Sequence, residues 1–210
     1  MKNGRAPAYS TYAVSLCFDD AAAQSVKAAQ ERLAQICGNN FLIEHSVPPH
    51  VTLGAFHAEP CALPQLQKAF DDFAKSARGV LGGSGFVLEF DGADCFLDKV
   101  LFLAVKKDSQ SFACVKRLNE ILHQKFLPLF EAGDNRNYLP ERWLPHAALA
   151  VKLRPDQFEK CAPLLGLSSA QGGGASLGLA TDFVSPQSGR VAALSLALCK
   201  PYTELCRAAF

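Results

Sequence analysis

The segment Pro-His-x-x-Leu occurs twice in this chain, as Pro49-His50-Val51-Thr52-Leu53 and, nearly half a chain later, as Pro145-His146-Ala147-Ala148-Leu149. Each copy reads as a β-strand. Strands alternate their side chains, so His50 and Thr52 share one face about 6 to 7 Å apart while Val51 and Leu53 turn to the other. His146 takes the corresponding place in the second copy, but there the position of the hydroxyl holds Ala148. The context repeats as well. A strand from Tyr12 to Phe18, an amphipathic helix and a strand bearing Pro-His are followed by a strand from Val100 to Val105, a second helix and a second Pro-His strand. Such a repeat predicts two similar halves, each an antiparallel sheet with its helices outside, with His50 and His146 lining one cleft. The expected class is α+β, with two pseudo-symmetric lobes enclosing a central cleft. We expect one two-lobed domain over 1–210, with approximate repeats at 8–80 and 86–165 and strands within 175–210 completing the sheets.

The remaining elements follow from periodicity. Ala22, Val26, Ala29, Leu33 and Ile36 alternate in spacing by four and three, which predicts a helix capped by Asp20 and ended by Gly38. Phe41 to Val47 reads as a strand broken by Pro48-Pro49, and His50 to His57 as the next. Leu66, Phe70, Phe73 and Ala77 predict a helix ending near Gly79. Phe86 to Phe90 is another strand. Asp108 is the expected cap of the longest helix, whose apolar face carries Phe112, Val115, Leu118, Leu122, Phe126 and Leu129 up to Gly133. A polar loop, 134–142, leads to the strand from Trp143 to Leu153. A short helix opens at Arg154-Pro155-Asp156, and a Ser/Gly stretch at 168–174 reads as a surface loop. Strands are expected at 177–184 and 192–199, and a last turn of helix at 201–207.

Composition narrows the function. The 210 residues are 49% hydrophobic with a net charge of +1, enough to bury a large core and too balanced for a general nucleic-acid or anionic-membrane surface. Any anionic substrate must be held by local groups, and neither DNA nor a membrane is an expected partner. The eight cysteines are scattered without a Cys-x-x-Cys and most lie in apolar runs, which suits reduced core residues. The basic start is followed by too short an apolar run for a leader, and no run reaches the roughly 18 apolar residues of a membrane span. A cytoplasmic monomer is the expectation.

Two histidines converging on a cleft suit a displacement in which one proton is removed and another delivered. Imidazole titrates near neutrality, so one ring can serve as base while the other serves as acid. Phosphodiester cleavage has this requirement: the attacking oxygen loses a proton, the departing oxygen gains one, and hydroxyl donors such as Thr52 steady the charge on phosphorus-bound oxygens. His45, His57 and His123 read instead as structural residues. A metal site built from His45, His50 and His57 is disfavoured, because His50 and His57 differ in strand parity and no acidic ligand stands beside them.

These residues resemble the 2H phosphoesterases, which include the 2′-5′ RNA ligase-like proteins and the 2′,3′-cyclic nucleotide phosphodiesterases and carry two His-x-Thr/Ser motifs on a pseudo-symmetric fold. His50-Val51-Thr52 matches the first motif in full, including Pro49 before and Leu53 after. His146-Ala147-Ala148 matches the second in Pro145, His146 and Leu149 but has Ala148 for the hydroxyl residue. The resemblance extends from the Tyr12–Phe18 strand to a Pro201-Tyr202-Thr203-Glu204-Leu205 ending. It implies that His50 and His146 are acid and base without a metal or other cofactor, that Thr52 holds phosphate, and that the partner is a nucleotide or RNA-end phosphodiester. Several RNA ligase-like members have an arginine just after the motif, where this chain has Gly54 and Ala150; Lys152 and Arg154 are the nearest substitutes. Trp143 and Tyr202 either stack on a base or pack internally. Small Ala148, Ala150 and Gly54 suggest room for a bulkier substrate. The alternative to an enzyme is a nucleotide or RNA-end binding module that has lost catalysis with its second hydroxyl.

Overall fold

The computed structural model describes residues 9–81, 83, 85–133, 136–167 and 186–210. The Ser/Gly stretch at 168–174 and the strand expected at 177–184 lie outside the described residues. Strands β1 (Ser10–Phe18), β2 (His50–Ala58), β3 (Phe86–Phe96), β4 (Val100–Val105), β5 (Glu131–Ala132), β6 (His146–Ala150), β7 (Ser188–Cys199) and β8 (Tyr202–Ala209) form one sheet. Its order is β1-β2-β6-β4-β3-β7-β8, with β5 on β2 and a further β1–β7 pairing that brings the path back on itself. Each of these pairings is antiparallel.

The duplicated pattern is visible in this order. The pair β1–β2 is joined through helix α1 (Asp20–Cys37), and the pair β4–β6 through helix α4 (Gln110–Phe126). The halves meet where β2 and β6 hydrogen-bond, with Val51 opposite Ala147. These are the residues that follow the histidine in each motif. A position paired with its own counterpart is what a local two-fold axis through the sheet requires.

Helices form where apolar stripes meet capping residues. Asp19, rather than Asp20, caps α1 by accepting from the Ala22 amide at 2.9 Å, and Gly38 ends it at φ 71. Val26, Ala29, Leu33 and Cys37 are buried there, whereas Ile36 is turned outward. Ser109 caps α4 in place of Asp108, which has φ 63 one residue earlier. That helix closes at Phe126, so Leu129 lies beyond it and is exposed. Helix α3 (Leu63–Leu81) runs two residues past Gly79, and α5 (Pro155–Cys161) starts at its proline as expected. The core lies between the helices and the sheet face carrying Leu16, Val51, Leu53, Leu103 and Leu194, all fully buried. Burying each such side chain contributes about 1.5 to 3 kcal/mol, so Leu53→Ala would cost about 2 to 5 kcal/mol once its cavity is counted.

Two expected elements differ in kind. Phe41 to Val47 is not a strand: α2 (Phe41–Glu44) forms a single turn of helix there. Asn39 Oδ1 accepts from the Phe41 amide at 3.4 Å, and Pro49 limits pairing beyond Ser46, which has φ 51. The closing segment is β8 rather than helix. Cys199 opposite Tyr202 leaves a two-residue connection, and pairing with β7 overrides the weak helical pattern of Tyr202 to Arg207. The strand expected from Trp143 to Leu153 is ordered only from His146 to Ala150, because Pro145 and the turn at Lys152 (φ 55) bound it.

Candidate active site

Each duplicated histidine is oriented by its own backbone. His50 Nδ1–H donates to the Pro48 carbonyl at 2.7 Å, and His146 Nδ1–H donates to the Leu144 carbonyl at 2.7 Å, in both cases two residues back. That bond places the remaining lone pair on Nε2 of each neutral ring. His50 Nε2 accepts from the Thr52 hydroxyl at 3.0 Å, the contact expected of alternate residues on one strand face. His146 has no hydroxyl two residues on in its own strand, since Ala148 occupies that place.

The β2–β6 register then brings the two rings onto one surface. With Val51 opposite Ala147, Thr52 lies across from His146 and Ala148 across from His50. The histidines stand on the diagonal, about 7 to 8 Å apart along the backbone and somewhat less at Cβ. Both are half-buried in the wall of one cavity of about 650 Å³, which Thr52, Ala148 and Trp143 also line. Burial pushes the His50 ring below the ordinary histidine range, against the pull of the Pro48 carbonyl. Burial likewise lowers His146; the Leu144 carbonyl opposes that shift and the proximity of His50 adds to it. At neutral pH both free rings are therefore unprotonated, ready to accept a proton or to gain one when an anion arrives.

The two sides of the cavity differ in character. Beside His146 stands an aromatic pair: Phe96, which lines the cavity, stacks on the fully buried Phe102 at 4.2 Å between centroids and meets the His146 ring edge-on at 5.1 Å. Phe102 lies 4.9 Å from that ring and opposite Ala148 in the β4–β6 ladder. Where the first motif sets a hydroxyl, the second sets a methyl group, and that methyl borders the cavity.

Trp143 is 5% exposed, lies under the Lys116 ammonium at 5.7 Å, and its indole N–H has no partner among the described residues. It both packs and borders the cavity. Lys152, Arg154 and Tyr202 do not line it. Lys152 lies over the Phe41 ring at 3.9 Å, Arg154 pairs with Asp156 at 3.1 Å beside α5, and Tyr202 is on β8, where burial pushes its phenol up to about 12. Gly54 offers no room either, because a Cβ there would meet Leu122 at 2.9 Å and Phe56 at 3.0 Å; Ala150 is buried, and only Ala148 opens on the cavity. Lining groups outside both motifs include Phe96, Leu97, Lys99, Asn137, Tyr138 and Arg142. The strand parity of Val100 to Val105 could have placed Phe102 near His146; nothing local marked Lys99 or Arg142.

Helix α4 braces the backbone on one side of this cavity. Asn119 Nδ2 donates to the Leu53 carbonyl at 2.6 Å and to the Tyr138 carbonyl at 2.9 Å, and Lys116 Nζ donates to the Pro140 carbonyl at 2.6 Å. On the other side Gln30 of α1 donates to the Ala148 carbonyl at 2.8 Å. The sequence signal for both was a polar residue within an apolar helical stripe. A second depression of about 640 Å³, with His123, Arg136 and Glu141 on its walls, contains neither motif histidine. His123 is buried and donates to the Asn119 carbonyl at 2.8 Å, His57 bonds Thr11 at 3.2 Å, and His45 stacks on Phe41 at 4.1 Å. Among the described residues no three His, Cys, Asp or Glu side chains gather in a way that would hold a metal ion. Among the described residues none of the eight cysteines forms a disulfide; Cys17, Cys37 and Cys161 are buried, and Cys61 is exposed.

The sequence from residue 18 to 196 matches the family model for the 2′-5′ RNA ligase superfamily. The chain belongs to this superfamily. Among solved structures, it is similar to LigT of E. coli in its apo form, with 14% identity, 96% of this chain and 98% of that chain covered, and a TM-score of 0.52. A crystal structure described as a phosphoesterase matches at 14% identity over 96% of this chain and 98% of that one, with a TM-score of 0.50. At this identity the likeness establishes a shared fold. Comparison with curated proteins finds no match. Among the described residues no helix of this superfamily member is long and apolar enough to cross a membrane.

Proposed function

We propose that this chain is a phosphoesterase that hydrolyses, or reversibly ligates, a cyclic or 2′-5′ phosphodiester of a nucleotide or RNA end by two-histidine acid–base catalysis. The observation that carries this reading is the matched orientation of the two rings. Both donate Nδ1–H to the carbonyl two residues back, which leaves both Nε2 atoms for chemistry in one cavity. In hydrolysis one Nε2 takes a proton from water as its oxygen bonds to phosphorus. The other ring, protonated, gives its proton to the ribose oxygen as the P–O bond breaks. Bound phosphate favours the protonated form of a ring whose affinity for protons burial has lowered, so substrate itself supplies the acid. Thr52 turns its hydroxyl from His50 to a non-bridging oxygen. The chain's own residues need no metal for these transfers.

A second reading, nucleotide or RNA-end binding without turnover, is favoured by Ala148, because one of two symmetric donors is missing. Steady-state hydrolysis of a panel of nucleoside 2′,3′-cyclic phosphates and oligoribonucleotide ends, with and without a chelator, separates the two. Turnover that both histidines are needed for and that survives chelation supports the enzyme. Micromolar binding with no turnover on any substrate would leave only the binding module.

A further inference from the structure

We infer that the turn joining β3 to β4 forms a second phosphate subsite, so that the ligand carries another phosphate beyond the one between the histidines. The turn is Phe96-Leu97-Asp98-Lys99, closed by the Lys99 amide donating to the Phe96 carbonyl at 2.9 Å. Phe96, Leu97 and Lys99 all line the cavity that holds His50 and His146. Lys99 is exposed, and among the described residues its ammonium has no ion pair or hydrogen bond, even with Asp98 beside it. A free cation in a cavity wall is a group awaiting an anion.

Its position separates it from the histidine pair. Phe102 is opposite Ala148, which by register is across from His50. Lys99 lies three residues before Phe102, about 10 Å along the strand at the ordinary rise. An offset of that size suits a group displaced from the scissile phosphate better than that phosphate itself. The intervening wall is apolar and aromatic, with Phe96 half-buried against Phe102 and Leu97 89% exposed at the rim. That wall suits the sugar and base between two phosphates. Leu97 and Asp98 both have positive φ, at 50° and 53°. Such turns favour Asn or Gly, so a leucine displayed there is at odds with turn chemistry alone and in keeping with a contact role.

The inference rests on the reading of the histidine pair as a phosphate site, but it is tested by binding and not by turnover. Titrate the wild-type chain calorimetrically with adenosine 2′-monophosphate, adenosine 2′,5′-bisphosphate, and an adenylyl dinucleotide ending in a 2′-phosphate. The bisphosphate is expected to bind at least about ten-fold more tightly than the monophosphate, an advantage that shrinks as salt rises from about 50 to 500 mM. In Lys99→Met the advantage falls below about two-fold, while Lys106→Met, which removes an exposed lysine paired with Glu89 outside the cavity, retains it. If the dinucleotide shares the gain, the second phosphate belongs to an oligonucleotide end; if only the bisphosphate does, it belongs to a small nucleotide. Equal affinities for all three ligands, or a gain that Lys99→Met leaves intact, would overturn the subsite. Failure of the acid–base reading appears separately, as bisphosphate binding without hydrolysis of any cyclic phosphate.

Discussion

Restoring the missing hydroxyl is the sharpest perturbation of this site. In Ala148→Thr the new side chain would project onto the face that carries His146, into the cavity that Ala148 already borders, so it displaces solvent rather than core atoms. The first motif shows the geometry it would copy: a hydroxyl two residues after the histidine comes within 3.0 Å of Nε2. The Ala148 carbonyl, bonded to Gln30, is unaffected by the exchange. Deleting one preorganised donor at an oxyanion-type site costs about 10² to 10³ in rate, about 2.7 to 4 kcal/mol. Solvent can replace part of a missing donor at an open cavity wall, so we expect a gain in kcat of about 10- to 100-fold, or about 1.4 to 2.7 kcal/mol in the barrier. Threonine is the better strand former, and stability should change by less than about 1 kcal/mol. The assay is hydrolysis of a nucleoside 2′,3′-cyclic phosphate under saturating substrate, with thermal melting of the same samples. A kcat within about two-fold of wild type in a variant that melts normally would refute the assignment of phosphate stabilisation to this position.

The other expectations concern the rings and their supports. His50→Ala and His146→Ala should each reduce turnover by about 10² to 10⁴ with little change in melting temperature; retention of activity in either would remove the acid–base pair. His50, His123 and His146 all hold protons less tightly when folded, chiefly through burial. Above the ordinary histidine range all are neutral in both states and contribute nothing; as pH falls through it the unfolded chain takes up protons first, and stability declines. Urea midpoints at about pH 7.5 and 5.5 should show that loss, and a higher midpoint at the lower pH would contradict it. Asn119→Ala leaves the Leu53 and Tyr138 carbonyls without their donor in a fully buried place and should cost about 1 to 3 kcal/mol, read from the same denaturation curves. An unchanged midpoint would mean water replaces the amide.

The geometry at the centre of the candidate site was legible because it is local. His50 and Thr52 meet through the two-residue period of a strand, and the repeated Pro-His fixes where each strand begins. The pairing of Val51 with Ala147 was not, since register across a sheet depends on the whole path of the chain. Lys99 escaped for a related reason. It is remote in sequence from both motifs and reaches the cavity only because β4 runs beside β6. Lys152 and Arg154 were attractive for their nearness to His146 in sequence, yet the turn at Lys152 carries them away to Phe41 and Asp156. At Phe41 and Tyr202 propensity pointed one way and tertiary pairing or its absence the other, the usual outcome where a segment is too short for its own pattern to dominate.

Gln30 and Asn119 give the molecule a property that neither half has alone. Gln30, on the helix of the first half, grips the strand of the second, and Asn119, on the helix of the second, grips the strand of the first. The arrangement is a reciprocal clasp. A substitution that tilts α1 is felt first at His146, and one that tilts α4 is felt first at His50. Sequence drift in either copy is therefore constrained by the other, and a severed half would lack the brace for its own histidine strand.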